Sequence, residues 1–399
     1  MSFNFVVDRV VKDQVYPALA QWSAEPYTPE WRQFIHHWPY TIPCDLIEHC
    51  ATQNFPFTIT TDKKNFAPNS FYPIGIGFFD FSIDYFSLLP TELLDPLRSH
   101  LVQILFYYDE GDNPFYIKDR LDQLCNHNSL PKNCYKFISA NSAADQIPGF
   151  VYCLTDELRY WKQNKSTPPV PILDNKREKD FTVLCRTHKL WRATAMTDLM
   201  RQGLLDNSYV SYNKDLALDE DPKKDNPLEL VSEILKPDLA KFLANAPYTC
   251  DNLTSDQHND HSVIEPSHYT NSYCSIVIET HFDVESSRGS FLTEKTFKAI
   301  KHGHPFVIIG APGSIDILNR FGYDTFDDII DHSYDLEFDN VKRWIMIVET
   351  IRNLKNQNMH DWFTKNIGRF RQNQLNFVHR KTHRLNKIYD KLLHQLATT

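Results

Sequence analysis

From about residue 101 onward, short apolar runs alternate with segments whose apolar residues recur every three or four positions. Continuous apolar runs of this length are typical of buried strands, and the second spacing is typical of amphipathic helices. The runs predict strands at 101–108, 134–138, 150–153, 181–185, 209–212, 275–279 and 306–309. Helices are predicted at about 114–125, 155–163, 193–202, 293–303 and 314–320, with further helix from 340. Strands that alternate with helices predict an α/β fold with parallel sheets.

The sequence also predicts domain boundaries. The first third is dense in Pro, Phe and Tyr, which indicates irregular structure before residue 101. The segment Lys165–Lys179, KSTPPVPILDNKREK, is proline-rich and charged, as is typical of a linker. We predict an N-terminal α/β domain at 1–165, a linker at 166–180, a second α/β domain at 181–340 and a C-terminal helical segment at 341–399.

Composition excludes several classes of protein. A chain of 399 residues has room for two cores, and its net charge of -9 argues against a generally basic nucleic-acid binder. Only 11 glycines are present, without a G-x-G-x-x-G fingerprint or a suitable Tyr-x-x-x-Lys motif, which disfavours a nucleotide-sugar epimerase or dehydrogenase. The 8 cysteines form no C-x-x-C pair and are predicted to be reduced thiols.

The sequence carries no membrane or export signal. Charged residues such as Asp8, Arg9 and Lys12 interrupt the apolar residues near the N-terminus, so a signal peptide is not expected. A run of about eighteen apolar residues, as a bilayer span needs, does not occur. These observations predict a soluble, cytoplasmic protein without a membrane span.

The first candidate for chemistry is the helix start within Phe291–Gly310, FLTEKTFKAIKHGHPFVIIG. Glu294 and Lys295 occupy its first turn, where a carboxylate suits ribose hydroxyls and a cation suits phosphates. The helix N-terminus itself favours an anion. The alternative interpretation is simple capping, with Thr293 as the N-cap and an acid near the positive end of the helix.

Two further clusters follow predicted strands. Arg186, Lys189 and Arg192 belong to RTHKLWR, directly after the strand 181–185, and Glu279 ends the strand 275–279. Ligands of open parallel sheets bind at the carboxyl ends of strands, and arginine holds phosphate oxygens in pairs. The alternatives are a solvated basic turn for the first cluster and a carboxylate paired with a neighbouring lysine for the second.

Taken in this order, the three clusters resemble the donor-binding domain of the α1,3-fucosyltransferases. That family has an arginine after the first strand of the domain, a strand ending in Glu-Asn-Ser, then Tyr-x-Thr/Ser-Glu-Lys and an A-L-x-x-G-x-x-P-hydrophobic-hydrophobic-x-G segment. Here the corresponding stretches are Arg192 or Arg186, Ile278-Glu279-Thr280, Phe291–Lys295 and Ala299–Gly310. The resemblance covers about 181–310 and does not reach the first 150 residues.

The resemblance implies a glycosyltransferase with the GT-B architecture, in which two Rossmann-like lobes face a cleft. Lys295 and the arginine would bind the phosphates of a nucleotide sugar, Glu294 the ribose and Glu279 the sugar side. Two departures leave the nucleotide and the sugar open, since Thr280-His281 replaces Asn-Ser and Phe291 replaces the tyrosine. The donor-binding residues predicted in full are Arg186, Lys189, Arg192, Glu279, Thr293, Glu294 and Lys295.

Inverting transfer also requires a base to deprotonate the acceptor hydroxyl. We expect it in the N-terminal domain, where acidic residues follow the strand 101–108 or lie in GFFDFSIDYF. The candidates, in order of preference, are Glu110, Asp109, Asp84 and Asp80. Each of them has the alternative role of a surface acid or a helix cap.

No metal or other cofactor is expected. Asp219-Glu220-Asp221 has the spacing of a cation-binding motif, but no predicted strand precedes it. The histidine pairs at 36–37, 258 with 261, and 302 with 304 have no third ligand at motif spacing. Cationic side chains can instead stabilise the leaving diphosphate.

The acceptor is the least specified partner. We expect a glycan or a small hydroxylated molecule, bound by the aromatic-rich first 150 residues, although most of these rings also fit a core. The rings considered for this role are Trp31, Trp38, Tyr40, Phe78, Phe79, Phe81, Tyr85 and Phe86. A hydroxylated base in DNA is the alternative, because Lys365–Lys391 is basic and carries three aromatic residues. Other uses for this segment are the solvated face of a helix or a helix that returns to the first lobe. A non-catalytic nucleotide-sugar-binding module is the opposing class.

Overall fold

The structure is a computed structural model that describes most of the chain. The described residues are 2–6, 9–11, 23–25, 46, 49–50, 53–60, 62–76, 79–108, 110–154, 157, 168–185, 187–214, 226–250, 264–283, 288–379 and 389–396. By its internal contacts the chain divides into two compact units, Met1–Arg159 with Thr382–Thr399, and Tyr160–Lys381.

The first unit is built on a six-stranded sheet of β1 Phe3–Val6, β4 Phe57–Thr60, β5 Ser70–Ile76, β6 Gln103–Tyr108, β7 Tyr135–Ser139 and β8 Phe150–Tyr152. These strands lie in the order β4-β1-β5-β6-β7-β8, and each neighbouring pair is parallel. A separate antiparallel pair joins β2 Arg9–Val11 and β3 Ser23–Glu25. The α-helices α1 Leu94–Arg98 and α2 Pro114–His127 follow β5 and β6.

Both faces of this sheet are buried, which explains why its strands are continuous apolar runs. Along β6, Phe106 packs with α2 and the β5–α1 segment on one face, whereas Leu105 and Tyr107 pack on the other. The second face is covered by the helical residues 389–396, whose Tyr389 and Leu392 are part of that core. The C-terminal residues thus return to the first unit, one of the uses predicted for the C-terminal segment.

The prediction of irregular structure before residue 101 is wrong for the strands β1, β4 and β5 and for the helix α1. Pro73 and Gly75 interrupt the apolar pattern of β5, and proline normally argues against a central strand. Within the described residues, β5 pairs with β1 at Ser70 and Phe71, and Pro73 lies opposite Leu105 of β6.

The second unit has a four-stranded parallel sheet with the order β10-β9-β11-β12. Its strands are β9 Lys179–Cys185, β10 Ser208–Tyr212, β11 Ser272–Ile278 and β12 Phe306–Ile309. Its helices are α3 Leu190–Arg201, α4 Glu229–Ile234, α5 Lys236–Asn245, α6 Pro266–Thr270, α7 Glu294–Lys301, α8 Ser314–Arg320, α9 Asn340–Lys355 and α10 Met359–His379. Two units with parallel sheets and helices confirm the predicted α/β class.

Helix α10 contains the first half of the basic segment Lys365–Lys391, and its polar and apolar faces are clearly separated. Phe370 and Phe377 are buried, at 0% and 4% exposure, so they belong to the core. Arg369 binds the carboxylates of Asp324 and Asp328 at 2.7 and 2.8 Å. Residues 380–388 lie outside the described ranges. In the described half, the aromatic residues serve packing and Arg369 is neutralised.

The described part of the predicted linker, 168–179, packs against the second unit. The Val170 amide donates to Nδ1 of His302 at 3.2 Å, and Arg371 donates to the Ile172 carbonyl at 2.8 Å. Arg177 is 5% exposed and donates to the Tyr269 carbonyl at 2.6 Å. The predicted boundaries at 165, 180 and 340 remain predictions.

Two smaller observations concern the chain as a whole. The cysteines in the described ranges are free thiols, as the sequence predicts. None of the helices that the structure describes is both long and apolar enough to cross a bilayer.

Gly303, which follows α7, is expected to be one of the most sensitive positions for stability. Its φ of 66° lies in the left-handed region, and a Cβ there would lie 1.9 Å from Cδ1 of Ile172. We expect Gly303→Ala to lower the free energy of unfolding by about 2–4 kcal/mol, from backbone strain and displacement of Ile172. Urea unfolding measures this change.

Gly322→Ala is the matched control. Gly322 has a similar φ of 79°, but a Cβ added to it would have no neighbour within 4 Å. This variant should therefore lower the free energy of unfolding through backbone strain alone, by about 1–2 kcal/mol. Adding Ile172→Ala to Gly303→Ala should cost less than the sum of the single changes. Equal losses for the two glycine variants would contradict the contact with Ile172.

Candidate functional site

The predicted donor-binding residues of the second unit gather where β9 and β11 end. These strands are parallel neighbours, with Phe181 opposite Cys274 and Thr182 opposite Ser275. Their carboxyl ends therefore reach the same edge of the sheet, which is where ligands of parallel sheets bind. The N-terminus of α7 is attached to this edge through Glu279.

Glu279 is fully buried and holds the start of α7. Its Oε1 accepts hydrogen bonds from the Thr293 amide at 3.1 Å and the Thr296 hydroxyl at 2.5 Å. Its Oε2 accepts from the Thr293 hydroxyl at 2.7 Å. A buried carboxylate needs such partners, and a helix N-terminus favours its charge. The predicted contact of Glu279 with the donor sugar stays a prediction, whereas its contact with α7 is observed.

Arg192, in the first turn of α3, joins the ends of β9 and β11. Its Nε and Nη2 donate to the Glu279 carbonyl at 3.2 and 2.8 Å, and its Nη1 donates to the Thr187 carbonyl at 3.1 Å. The side chain is buried and its guanidinium lies 5.5 Å from the centre of the Trp191 ring. All of these hydrogen bonds are to backbone carbonyls, so none of them pairs the guanidinium with an acidic side chain.

Lys295 projects from the first turn of α7 toward the same edge. Its Nζ lies 2.9 Å from the Thr293 hydroxyl and 3.3 Å from the Thr280 hydroxyl. Two carboxylates are slightly farther away, Glu294 at 3.6 Å and Glu279 at 4.0 Å. The Lys295 side chain is 24% exposed, so it combines a fixed position with access to a ligand.

Thr293 is the N-cap of α7, as the capping alternative predicts. Its side chain accepts from the Lys295 amide at 3.4 Å. Capping and ligand binding are compatible here, because the cap uses the Thr293 hydroxyl and leaves the Lys295 ammonium at the surface edge. Glu294, the predicted ribose ligand, has a side-chain exposure of 15%.

The electrostatic field at this edge is positive. Burial together with Lys189, Arg192 and Lys295 lowers the pKa of His281 to about 3, so its imidazole is neutral at physiological pH. Burial raises the pKa of the Cys185 thiol, which Arg192 and Lys295 act to lower. Arg192 of α3 and Lys295 of α7 lie at the same strand end, since Arg192 donates to the Glu279 carbonyl and Nζ of Lys295 contacts the Thr280 hydroxyl. Cations from different elements at one place favour a multiply charged anion.

His281 was not among the residues predicted from the sequence. It appeared only as part of the Thr280-His281 departure from the fucosyltransferase pattern. Its position two residues after Glu279 was the available signal, since residues that follow a buried parallel strand lie at the ligand-binding edge.

Of the other cationic candidates, Lys189 is the N-cap residue of α3 and is half-buried. The neighbouring His188 places Nδ1 2.5 Å from the hydroxyl of Tyr212 in β10. Arg186 lies outside the described residues. The structure therefore brings together Lys189, Arg192 and the α7 start, and leaves Arg186 as a prediction.

The predicted catalytic bases belong to the first unit. Asp80 is exposed and accepts from the Ser82 amide and hydroxyl at 2.7 and 2.6 Å, and these bonds lower its pKa. Asp84 accepts from the Phe86 amide at 3.1 Å and from Asn128 at 2.8 and 3.0 Å. Both carboxylates are thus engaged in local turns, which makes them weaker candidates for a base.

Glu110 lies two residues beyond the end of β6 and is half-buried, whereas Asp109 is outside the described residues. The pKa of Tyr108 is raised well above its ordinary value by burial and by the nearby Asp112, with Glu110 adding to the effect. The Tyr108 hydroxyl donates to the Asp112 carboxylate. Asp112 is a further acid at this strand end that sequence reasoning did not select.

In the part of the chain that the structure describes, no group of three or more His, Cys, Asp or Glu side chains is placed to bind a metal ion. Residues 36–37, 219–221, 258 and 261 fall outside that part. His304 is buried, with Nδ1 2.9 Å from the Ser275 hydroxyl and Nε2 2.9 Å from the Tyr269 carbonyl. His302 accepts from the Val170 amide. The expectation of metal independence stays a prediction.

The aromatic residues proposed for the acceptor mostly belong to the core where they are described. Phe79, Tyr85 and Phe86 are at most 7% exposed, while Phe81 is 46% exposed. The other named rings lie at 31, 38, 40 and 78, outside the described residues. The alternative interpretation, packing rather than stacking on a ligand, holds for the first three.

Comparison with known proteins adds little to this description. No family model matches the chain, and no curated protein matches it. The resemblance to α1,3-fucosyltransferases therefore rests on the motifs alone. Among solved structures, the chain is similar to a DNA-modifying β-glucosyltransferase studied with and without its substrate uridine diphosphoglucose. The match covers 99% of both chains with 10% identity and a TM-score of 0.36, values too low to carry an argument about function.

Proposed function

We propose that this protein is a glycosyltransferase of the GT-B type that moves a sugar from a nucleotide-sugar donor to a hydroxyl acceptor. The observation that carries the proposal is the position of Arg192 and Lys295 at the carboxyl ends of β9 and β11, where Arg192 donates to the Glu279 carbonyl and Nζ of Lys295 contacts the Thr280 and Thr293 hydroxyls. A nucleotide sugar presents a diphosphate of matching charge. The α7 N-terminus adds a favourable field for the same anion.

In the proposed reaction, the acceptor oxygen forms a bond to the anomeric carbon while the bond from that carbon to the diphosphate oxygen breaks. The proton of the acceptor hydroxyl passes to a carboxylate of the first unit, with Glu110 as the first candidate. Lys189, Arg192 and Lys295 stabilise the charge that develops on the leaving diphosphate, so no metal is required. Glu294 binds the ribose. Inversion at the anomeric carbon follows from a single displacement.

The acceptor we propose is a glycan or a small hydroxylated molecule. Two observations support this choice. The net charge of the chain is -9, and Arg369 of the basic segment is paired with two aspartates, Asp324 and Asp328. A hydroxylated base in DNA is the alternative acceptor. Titration with duplex DNA at low and moderate salt separates them, since salt-sensitive binding that Lys381 and Arg384 substitutions weaken would favour DNA.

A thermal-shift titration with UDP, GDP and their sugars tests the donor site. A ligand that binds the folded state stabilises it by about 2.7 kcal/mol at a concentration of 100 times Kd, and this stabilisation raises the melting temperature. The shift and the transfer activity should persist in EDTA. A folded sample that none of these nucleotides stabilises would refute the proposal, and activity that EDTA removes and magnesium or manganese restores would refute its metal independence.

Replacing Glu110 separates catalysis from binding. Glu110→Gln should leave nucleotide-sugar affinity within about twofold and lower turnover by roughly 10²- to 10⁴-fold, the usual contribution of a general base. Asp80→Asn and Asp84→Asn are matched controls and should retain most of the turnover. Radiolabelled sugar transfer, or hydrolysis of the donor without an acceptor, measures turnover. A wild-type protein that binds donor but neither transfers nor hydrolyses it would be a non-catalytic binding module.

A further inference from the structure

We propose that the Thr280 hydroxyl belongs to the diphosphate site, where it orients the Lys295 ammonium and donates its own hydrogen to the phosphate oxygen that Lys295 binds. This inference rests on the proposed function and deepens it, because it adds a neutral side chain whose hydrogen bond can be tested apart from the charge of Lys295. Thr280 was not among the donor-binding residues predicted from the sequence.

Thr280 lies at the edge of the sheet that carries Arg192 and Lys295. It is the second residue after the end of β11, directly follows Glu279, and is half-buried. The Glu279 carboxylate is fully buried and accepts from the Thr293 amide, which holds this strand end against the start of α7. Oγ1 of Thr280 lies 3.3 Å from Nζ of Lys295. Thr280 therefore joins β11 to α7 at the place where the cation is presented.

The hydrogen bonds of Lys295 fix the direction of its ammonium group. Nζ lies 2.9 Å from the Thr293 hydroxyl and 3.3 Å from the Thr280 hydroxyl. The carboxylates of Glu294 and Glu279 lie farther away, at 3.6 and 4.0 Å. An ammonium has three N–H donors and no lone pair, so both hydroxyl oxygens act as acceptors. Two of the three N–H groups are thereby oriented, and the tetrahedral geometry of Nζ sets the direction of the third.

The two hydroxyl groups differ in what they can offer a ligand. The Thr293 hydroxyl already donates its hydrogen to Oε2 of Glu279 at 2.7 Å, so toward Lys295 it can only accept. The Thr280 hydroxyl accepts from Lys295 and keeps its hydrogen for a second oxygen. Since linked hydrogen bonds polarise one another, a hydroxyl that accepts from an ammonium is also a stronger donor. Thr280 is therefore the hydroxyl of this pair that is suited to bind a ligand.

A single ligand oxygen can accept from both donors. Nζ of Lys295 and Oγ1 of Thr280 are 3.3 Å apart, so an oxygen about 2.8 Å from each completes a triangle of ordinary hydrogen-bond lengths. That oxygen accepts two hydrogen bonds, one of them from a cation. The charge-assisted bond favours an anionic oxygen over the neutral hydroxyl of a sugar or ribose. A non-bridging oxygen of the diphosphate meets both requirements.

Isothermal titration with UDP and GDP tests this role in Thr280→Val, which keeps the branched shape of the side chain but removes its hydroxyl. We expect nucleotide affinity to fall roughly 3- to 10-fold, the effect of losing one hydrogen bond. Thr280→Ser, which restores the hydroxyl, should stay within about twofold of the wild type. Thr58→Val is the matched control, because it removes a hydroxyl that donates to Asn4 in the first unit and should leave nucleotide affinity unchanged.

A double-mutant cycle with Lys295→Met separates the proposed role from a structural one. In the Lys295→Met background, Thr280→Val should lower nucleotide affinity by less than about twofold, because the phosphate oxygen is then no longer held between two donors. A purely structural Thr280 would weaken binding by the same factor in both backgrounds. Equal factors would therefore overturn the inference.

A comparison of ligands locates the contact. Thr280→Val should lower the affinities for UDP and UDP-glucose by the same factor, and likewise those for GDP and GDP-fucose, because the members of each pair share the diphosphate. A loss confined to the nucleotide sugars would assign the Thr280 hydroxyl to the sugar and contradict its role at the phosphate.

The outcomes also separate this inference from the proposed function. A folded wild-type protein that binds none of these four ligands refutes the donor site itself. Wild-type binding that Thr280→Val leaves unchanged refutes the role of Thr280 and leaves the donor site intact. If the valine variant does not fold, Thr280→Ala and Thr280→Ser provide the same test, and equal affinities of these two variants would refute the role of the hydroxyl.

Discussion

Lys295→Met is expected to weaken the binding of a nucleotide diphosphate by roughly 10- to 150-fold, equivalent to the 1.5–3 kcal/mol of a charge-assisted hydrogen bond. Methionine keeps the length and apolar stem of the side chain but removes its charge. Because Lys295 is 24% exposed and the helix cap is provided by Thr293, the fold should be retained. Isothermal titration with the nucleotide that gives the largest thermal shift measures the change.

Lys236→Met is the matched control, since it removes the same charge from a side chain that is 75% exposed in α5. Its nucleotide affinity should stay within about twofold, because solvent and salt screen the charge of an exposed side chain. Unchanged nucleotide affinity in a folded Lys295→Met variant would contradict phosphate binding by Lys295 and would leave helix capping as the role of the α7 start. Arg192→Met should also weaken nucleotide binding. It should lower the free energy of unfolding as well, because Arg192 donates hydrogen bonds to the Glu279 and Thr187 carbonyls.

Arg343→Met is expected to give the largest loss of stability, about 3–5 kcal/mol, because it removes a fully buried hydrogen-bonded cation. The guanidinium donates to the carbonyls of Phe282 and Glu337, the latter at 2.8 Å, and to Oδ1 of Asn340 at 2.7 Å. It also lies 4.2 Å from the centre of the Phe282 ring. Methionine would leave these buried acceptors without donors, and urea unfolding measures the cost.

The exposed ion pair between Arg320 and Asp316 provides the control. Their atoms approach to 2.9 Å, but the side chains are 61% and 58% exposed. Arg320→Met should therefore change the free energy of unfolding by at most about 1 kcal/mol. Similar losses in the two variants would show that Arg343 is less important than its contacts indicate. Since Phe282 adjoins His281, a folded Arg343→Met variant should also bind nucleotide more weakly.

Much of the secondary structure follows from local pattern. The strand Phe306–Ile309 and the helix Ser314–Arg320 have the bounds that the sequence predicts. Both are short apolar or amphipathic segments that end at a glycine, a proline or a charged residue. The local sequence signals therefore predict the same element bounds that the folded structure has. The strand Ser70–Ile76 shows the limit, because Pro73 argues locally against a central strand, and the strand is established only by its pairing with β6.

For the candidate site, the sequence by itself determined which charged residues stand at element ends: Arg192 after β9, Glu279 after β11, and Lys295 in the first turn of α7. These positions depend on residues close in the chain, whose periodicity and caps can be read locally. The sequence likewise determined the α/β class and the burial of the strands.

Only the tertiary structure decided what each of these groups faces. The pairing of β9 with β11 brings Arg192 to the Glu279 carbonyl, 87 positions away in the chain. The packing of α7 against that edge turns the Glu279 carboxylate inward to Thr293 and Thr296, and places Nζ of Lys295 beside the Thr280 hydroxyl. Burial and charge depend on contacts between distant segments, and the strength of electrostatic interaction depends on both, so no local pattern could specify them.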